Sequence, residues 1–228
     1  MVENIAIIPA RGGSKGIPKK NIIEVCGRPL IEYTINAAQS AKTVQRIIVS
    51  TDDDEIATIS KDIGAEIVMR PSGISGDFAS SESALIHALN NLLEQERYEP
   101  DLLTFLQCTS PLTTADDIDG TVNLILNGYA DSSFAAAPFH YYLWAVSNDG
   151  SVRGINHSTT SRPMRQEREQ QFLEAGSVYA MKVRQFQESQ FRFFGKTCLF
   201  EIPEENCFEI DEPADLPVAA AILKSRGF

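Results

Sequence analysis

The chain has 228 residues, of which 43% are hydrophobic and 22% charged, with a formal net charge of −11. That size and balance fit one large soluble domain, and the negative charge argues against general nucleic-acid binding, which needs a basic face. No apolar run approaches the ~18 residues of a membrane span, and no basic and apolar leader precedes the first apolar run, so a cytoplasmic protein without membrane association is expected.

The elements are read in chain order. Residues 4–8 form a short apolar strand. It runs into Pro9-Ala10-Arg11-Gly12-Gly13-Ser14-Lys15-Gly16-Ile17-Pro18-Lys19-Lys20-Asn21, with three glycines and four cations. Such a loop has few side chains with which to build a core. Its glycines let backbone N–H groups approach phosphate oxygens without Cβ clashes, and Arg11, Lys15, Lys19 and Lys20 can neutralise them. The spacing is neither GxGxxG nor Walker A; at Gly195-Lys196-Thr197 the first glycine of a P-loop is missing, because position 190 is Gln.

Residues 30–41 carry a helical apolar stripe. Residues 46–50 read as a strand, followed by Thr51-Asp52-Asp53-Asp54 and a helix over 55–63, whose acidic start suits the macrodipole better than a metal. A strand at 65–69 and a helix at 81–96 follow. The near-continuous apolar run 101–107 is typical of a parallel strand buried on both faces. Residues 116–126 are helical and 132–137 extended.

The alternation then breaks. Residues 140–171 are polar, rich in Arg and Gln, with an Asn148-Asp149-Gly150 turn. An excursion of that length is seldom idle and is expected to be a sheet extension or a dimerisation arm within the single domain. Strands at 177–181 and 197–202 and a helix at 213–225 complete the chain. The fold class is therefore α/β, a doubly wound, mostly parallel sheet. Its ligand is expected at the carboxyl ends of the strands, where the loops at 10–21, 70–81 and 107–113 meet.

Near the C-terminus, Glu209 and Asp211 flank Ile210, so in an extended segment both carboxylates face one side. Two hard oxygen ligands suit Mg²⁺, which binds one or two carboxylates plus substrate phosphates. Equally, Asp211 before Glu212-Pro213 can cap a helix, and spacing leaves both open. Cys26, Cys108, Cys198 and Cys207 lack CxxC spacing and read as reduced thiols. Cys108 has no nearby His to make it a nucleophile, and His87 lies within a helix.

Taken together these segments resemble the acylneuraminate cytidylyltransferases, which activate sialic-acid-like sugars as CMP-glycosides. The resemblance rests on Ile8-Pro9-Ala10-Arg11-Gly12-Gly13-Ser14-Lys15-Gly16-Ile17-Pro18 with Lys20-Asn21, then Ile48-Val49-Ser50-Thr51-Asp52, Arg70-Pro71 with Asp77 and Ala79-Ser80-Ser81, Leu106-Gln107 with Thr109-Ser110-Pro111-Leu112, Gly176-Ser177 with Tyr179, and Glu209-Ile210-Asp211. It implies a Rossmann-like nucleotidyltransferase fold, CTP and a nine-carbon 2-keto acid sugar as substrates, Mg²⁺ and a homodimer. It places Arg11, Gly12, Gly13, Ser14, Lys15, Lys20 and Asn21 on CTP, with Arg70, Ser80 and Ser81 completing that pocket. Gln107, Thr109, Arg165, Tyr179, Phe193 and Phe194 would face the sugar, some from the partner subunit, with the 140–171 excursion contributing to the sugar site. Asp211 and Glu209 would hold metal, and Arg11, Lys20, Gln107 and Asp211 would carry the catalytic work.

Three positions depart from that pattern. Glu209 stands where many relatives have Asp, and Cys108 where a Pro is usual. Ala175 stands where many have Asn, which leaves the choice among N-acetylneuraminate, legionaminate-like and deaminated sugars open. The related Kdo cytidylyltransferases lack the Gly-Gly pair and rank lower, as does a non-catalytic nucleotide sensor, against which the carboxylate pair argues.

Overall fold

A computed structural model describes residues 2–14, 16–76 and 79–228. Lys15 and Asp77, both part of the expected nucleotide loops, lie outside the described residues.

The strands are β1 (Asn4–Pro9), β2 (Glu24–Val25), β3 (Arg28–Pro29), β4 (Arg46–Thr51), β5 (Glu66–Met69), β6 (Leu102–Leu106), β7 (Ser132–Phe139), β8 (Trp144–Val146), β9 (Val152–Gly154), β10 (Gln171–Lys182) and β11 (Thr197–Glu201). The helices are α1 (Leu30–Ser40), α2 (Asp54–Ile63), α3 (Ser81–Glu96), α4 (Ala115–Leu126), α5 (Val183–Ser189) and α6 (Asp215–Ser225). Seven strands make one sheet in the order β11-β7-β10-β6-β1-β4-β5. β10 alone runs antiparallel to its neighbours β6 and β7; the other pairings are parallel.

Period-two alternation divides the core. Ala6 and Ile8 of β1 point into a layer with Ile31, Ile35, Ile56, Ile118 and Val122, which come from α1, α2 and α4. Ile5 and Ile7 point the other way, toward Leu85 and Leu89 of α3 and Phe186 of α5. Helices on both faces explain why the central strands are apolar on both sides. A third cluster gathers Ile17, Val25, Leu30, Tyr33, Leu112 and Ile210 with Ala219 and Leu223 of α6.

Chain connectivity reverses beside β1: β4 and β5 lie to one side, β6 to the other. In open α/β sheets a crevice for ligands forms outside the carboxyl ends of the strands at that switch. The glycine loop leaves β1 there, and the 107–113 loop leaves β6.

Several local devices were not read from sequence. β2 and β3 form a hairpin turned by Cys26 and Gly27, both at positive φ, the backbone of a type I′ turn. β10 is longer than the expected 177–181 and carries a register shift between Glu174 and Tyr179, with Gly176 at φ +70°. The 140–171 excursion interrupts the ladder just beyond Phe139 and Gln171, which pair with each other. Within it, β8 and β9 form a hairpin across the expected Asn148-Asp149-Gly150 turn, with Gly150 at φ +81°.

Candidate active site

The glycine loop is anchored from beneath. Asn21, buried, donates from Nδ2 to the Arg11 carbonyl at 2.9 Å. Gly12 N–H donates to Asp52 Oδ1 at 3.0 Å, which ties the loop to the end of β4. Gly12 is needed because a Cβ there would fall 2.7 Å from Asp53 Oδ2 and 2.9 Å from its Cβ. Asp53 caps α2, accepting from Glu55 N and Ile56 N, so the acidic run serves the helix start and the loop. Lys19 is held outward by an ion pair with Glu55.

Lys20 points inward. Its ammonium, on a side chain only 14% exposed, donates to Asp211 Oδ1 at 2.9 Å and to the Ile210 carbonyl at 3.0 Å. The same segment is stitched to the loop after β6, where Ile210 N–H donates to the Thr109 carbonyl at 2.8 Å. Ile210 is fully buried, so alternation turns Glu209 and Asp211 away from its core pocket. Asp211 is not a helix cap. Asp215 instead accepts from the Asp211 and Glu212 N–H groups, each at 2.8 Å, and α6 starts two residues later than expected.

Glu209 backs onto Gly176, where a Cβ would lie 2.3 Å from Glu209 Oε1. Its carboxyl is held above the usual range by burial and then by the charge of Asp211, with Lys20 opposing. Two carboxylates that repel each other suit a divalent cation. Among the described residues no three His, Cys, Asp or Glu side chains cluster, so a metal here would need oxygens from its ligand, as Mg²⁺ bound with phosphates does.

On the β4–β5 side, Arg70 is 8% exposed and its Nε and Nη2 have no hydrogen-bond partner among the described residues. Asp52 Oδ1 is 3.9 Å from Nη2. Burial lowers the Arg70 pKa, Asp52 opposes, and the charge of Arg11 lowers it further. Arg11 donates to the Gly76 carbonyl at 3.1 Å. Two guanidiniums close enough to repel, one with buried unanswered N–H groups, favour an anionic or oxygen-rich ligand. Ser80 caps α3, accepting from Ser83 N, and Ser81 opens that helix.

The expected sugar residues divide into two groups. Gln107 and Thr109 lie on the loop after β6, Gln107 N–H donating to the Ser177 carbonyl at 3.1 Å. Tyr179 is buried, stacks on Phe105 at 5.3 Å and donates its hydroxyl to Glu174. Phe193 meets Tyr179 edge-on at 6.0 Å, and Phe194 N lies 3.3 Å from Ser132 Oγ. Arg165 is elsewhere in the protomer. It lines a cavity of about 260 Å³ with Phe139, His140 and Arg168, which includes none of the other candidates.

Ala175 is 1% exposed and packs in the core directly before Gly176. Cys108 is buried, and burial pushes its thiol up to about 12, which removes it as a nucleophile. Asp52 and Gly176 were named from sequence only as parts of motifs, without the contacts they make here; Glu82, Glu174 and Arg192 were missed, and no sequence signal marked them. A separate cavity of about 550 Å³ lies at the opposite end of the sheet between Val2, Leu102 and Lys182.

The fold and this mouth define a nucleotidyltransferase-type α/β protein. Two solved structures share the fold: a CMP:2-keto-3-deoxy-manno-octonic acid synthetase complexed with CTP (TM-score 0.71, 18% identity, 98% of this chain and 99% of that one) and a 4-diphosphocytidyl-2C-methyl-D-erythritol synthase (TM-score 0.72, 12% identity, 98% and 100%). The family described as cytidylyltransferase matches residues 5–207, and the chain belongs to it. Similar proteins include N-acylneuraminate cytidylyltransferase A of Danio rerio, 34% identical over 98% of this chain and 51% of that protein. Pseudaminic acid cytidylyltransferase of Campylobacter jejuni is 29% identical over 98% of this chain and 97% of its own length. The chain thus spans about half the length of the fish relative and nearly all of the bacterial one.

Gly16 tests the join between loop and acidic segment. A Cβ there would fall 2.5 Å from the Asp211 carbonyl oxygen, a backbone atom that cannot swing aside. Gly16→Ala should move the loop off the carboxylates and lower kcat/KM for CTP about 100-fold, with the unfolding midpoint little changed. Unaltered kinetics would show that the contact is not needed.

Proposed function

We propose that this protein is a cytidylyltransferase that joins a nonulosonic, sialic-acid-like sugar to CTP, giving a CMP-glycoside and pyrophosphate. The observation that carries this reading is the seam at which Lys20 and Thr109 hold Glu209-Ile210-Asp211 against the glycine loop. Cations for a polyphosphate and carboxylates for its metal thereby face one crevice. The family match and the names of the similar proteins support the same activity class and a nine-carbon acid.

In this account the sugar's anomeric hydroxyl attacks the α-phosphorus of CTP in line and pyrophosphate leaves. Such transfers need positioning and charge stabilisation more than covalent help. Arg11, Lys20 and, from the resemblance, Lys15 would neutralise the triphosphate. Arg70 would offer its unanswered N–H groups to the nucleotide, with Asn21, Gly13, Ser14, Ser80 and Ser81 around it. Asp211 would hold Mg²⁺, with Glu209 beside it; bound there, the ion would offset charge on the departing pyrophosphate. Lys20 would then exchange Asp211 for phosphate. Gln107, Thr109, Tyr179, Phe193 and Phe194 would line the sugar side.

The sugar's carboxylate must be brought near a triphosphate, and Arg165 is the cation proposed to offset that repulsion. It lies apart from Gln107 and Tyr179 within one protomer, so it would act across a dimer, on the partner's sugar. Exposed Tyr141, Leu143, Trp144, Val146, Val152 and Ile155 crowd the 140–171 excursion, an apolar surface of the kind that marks an interface.

Pyrophosphate release from CTP and Mg²⁺ should be faster with nine-carbon 2-keto acids than with the eight-carbon Kdo. Preference for Kdo would refute the sugar class, and no release with any acid would refute the activity. Light scattering at assay concentration should give twice the chain mass; a fully active monomer would defeat the shared-site account.

A further inference from the structure

One buried ion pair between the two proposed substrate pockets has no part in the account so far. Arg192 Nε donates to Glu82 Oε1 at 2.7 Å, and the two side chains are 16% and 10% exposed. The Arg192 Cζ also sits over two rings, 4.5 Å from the Tyr179 centroid and 5.0 Å from the Phe105 centroid. Arg192 directly precedes Phe193, which packs edge-on against Phe134 at 5.4 Å as well as against Tyr179. Glu82 lies in the first turn of α3, immediately after Ser80 and Ser81. A helix start favours its carboxylate.

One planar cation on the 191–194 segment therefore touches both the aromatic wall rising from β6 and β10 and the start of the helix that opens with the nucleotide-side serines. Stability alone is a weak reason for such a pair, because an apolar pair of similar volume commonly serves as well. A guanidinium does what an ammonium cannot: it lies flat on rings while its edge donates to a carboxylate.

We propose that Arg192 is a positioning residue that fixes Tyr179 and Phe193 as the sugar-facing wall and, through Glu82, couples that wall to the nucleotide pocket at Ser80 and Ser81. The proposal rests on the reading of Tyr179 and Phe193 as sugar contacts given above. Arg192 acts through its neighbours and touches no reacting atom.

Three variants test it: Arg192→Met, Arg192→Lys, and Arg192→Met combined with Glu82→Gln. CTP affinity is measured by calorimetry, sugar KM and kcat by pyrophosphate release, and thermal stability alongside. Arg192→Met leaves the Glu82 charge buried beside Ser81 without its partner. It should weaken CTP binding and raise sugar KM, each about tenfold. In the double variant that charge is gone, so CTP affinity should return while sugar KM stays raised. Arg192→Lys keeps the ion pair and should retain CTP affinity, but the ammonium cannot stack and sugar KM should rise.

Losses that track thermal stability equally in all three variants would overturn the proposal, as would kinetics and affinities that do not move. If Arg192→Met fails to fold, the Lys and double variants still give the split between the two substrates. Wild-type turnover of a nine-carbon acid tests the sugar reading separately. Should that turnover be absent, the calorimetric arm decides the coupling alone: CTP affinity lost in Arg192→Met and restored in the double variant supports it, and unchanged affinity in Arg192→Met overturns it.

Discussion

The burial of Ile210 is the constraint on which the site depends. This side chain enters a pocket of Ile17, Val25, Leu30, Tyr33 and Leu112, and is fully buried there. Burying an Ile contributes about 1.5–3 kcal/mol. The Lys20–Asp211 ion pair, with the carboxylate 67% exposed, contributes at most ~1 kcal/mol. Apolar packing therefore anchors the segment, and the polar groups aim it. With Ile210 inserted and its N–H on Thr109, Glu209 and Asp211 have no choice but to face the crevice. A chain separation of 190 residues between Lys20 and Ile210 is closed by that one side chain.

The electrostatics follow from the same geometry. A chain of net charge −11 repels an anionic nucleotide at long range. Local cations must overcome that at the mouth, where low-dielectric walls strengthen their field. Lys19 is diverted to Glu55 and Lys20 is held by Asp211. Arg70 keeps buried N–H groups without partners among the described residues, a cost that a nucleotide acceptor would remove. Lys20 and Asp211 thus neutralise each other without a ligand, and under the proposed function a metal–nucleotide pair would exchange with both.

What could be read from sequence was periodic or compositional. The strand–helix alternation gave the layers, because side-chain period decides which face is buried. The crowded glycines and cations of residues 11–20 singled out the loop proposed for the nucleotide, and the spacing of Glu209 and Asp211 about an apolar residue singled out the carboxylates proposed for the metal. The rest depended on contacts distant in sequence. Nothing around Gly12 shows that its amide is taken by Asp52, 40 residues away. The Arg192–Glu82 pair joins residues 110 positions apart, and each alone reads as surface charge. The register shift in β10 was not legible either, because an irregular strand breaks the period on which such readings rest. The hairpin at Cys26-Gly27 was missed because Cys is an unusual residue at positive φ.

The central claim is that Asp211 and the cationic loop form a single site for a metal-bound triphosphate. Calorimetric titration of CTP into wild-type protein and into Asp211→Asn, each with and without Mg²⁺, tests it most directly. The account predicts that Mg²⁺ tightens CTP binding to the wild type and that Asp211→Asn loses most of that gain while remaining folded. A variant that keeps the full gain from Mg²⁺ would contradict it.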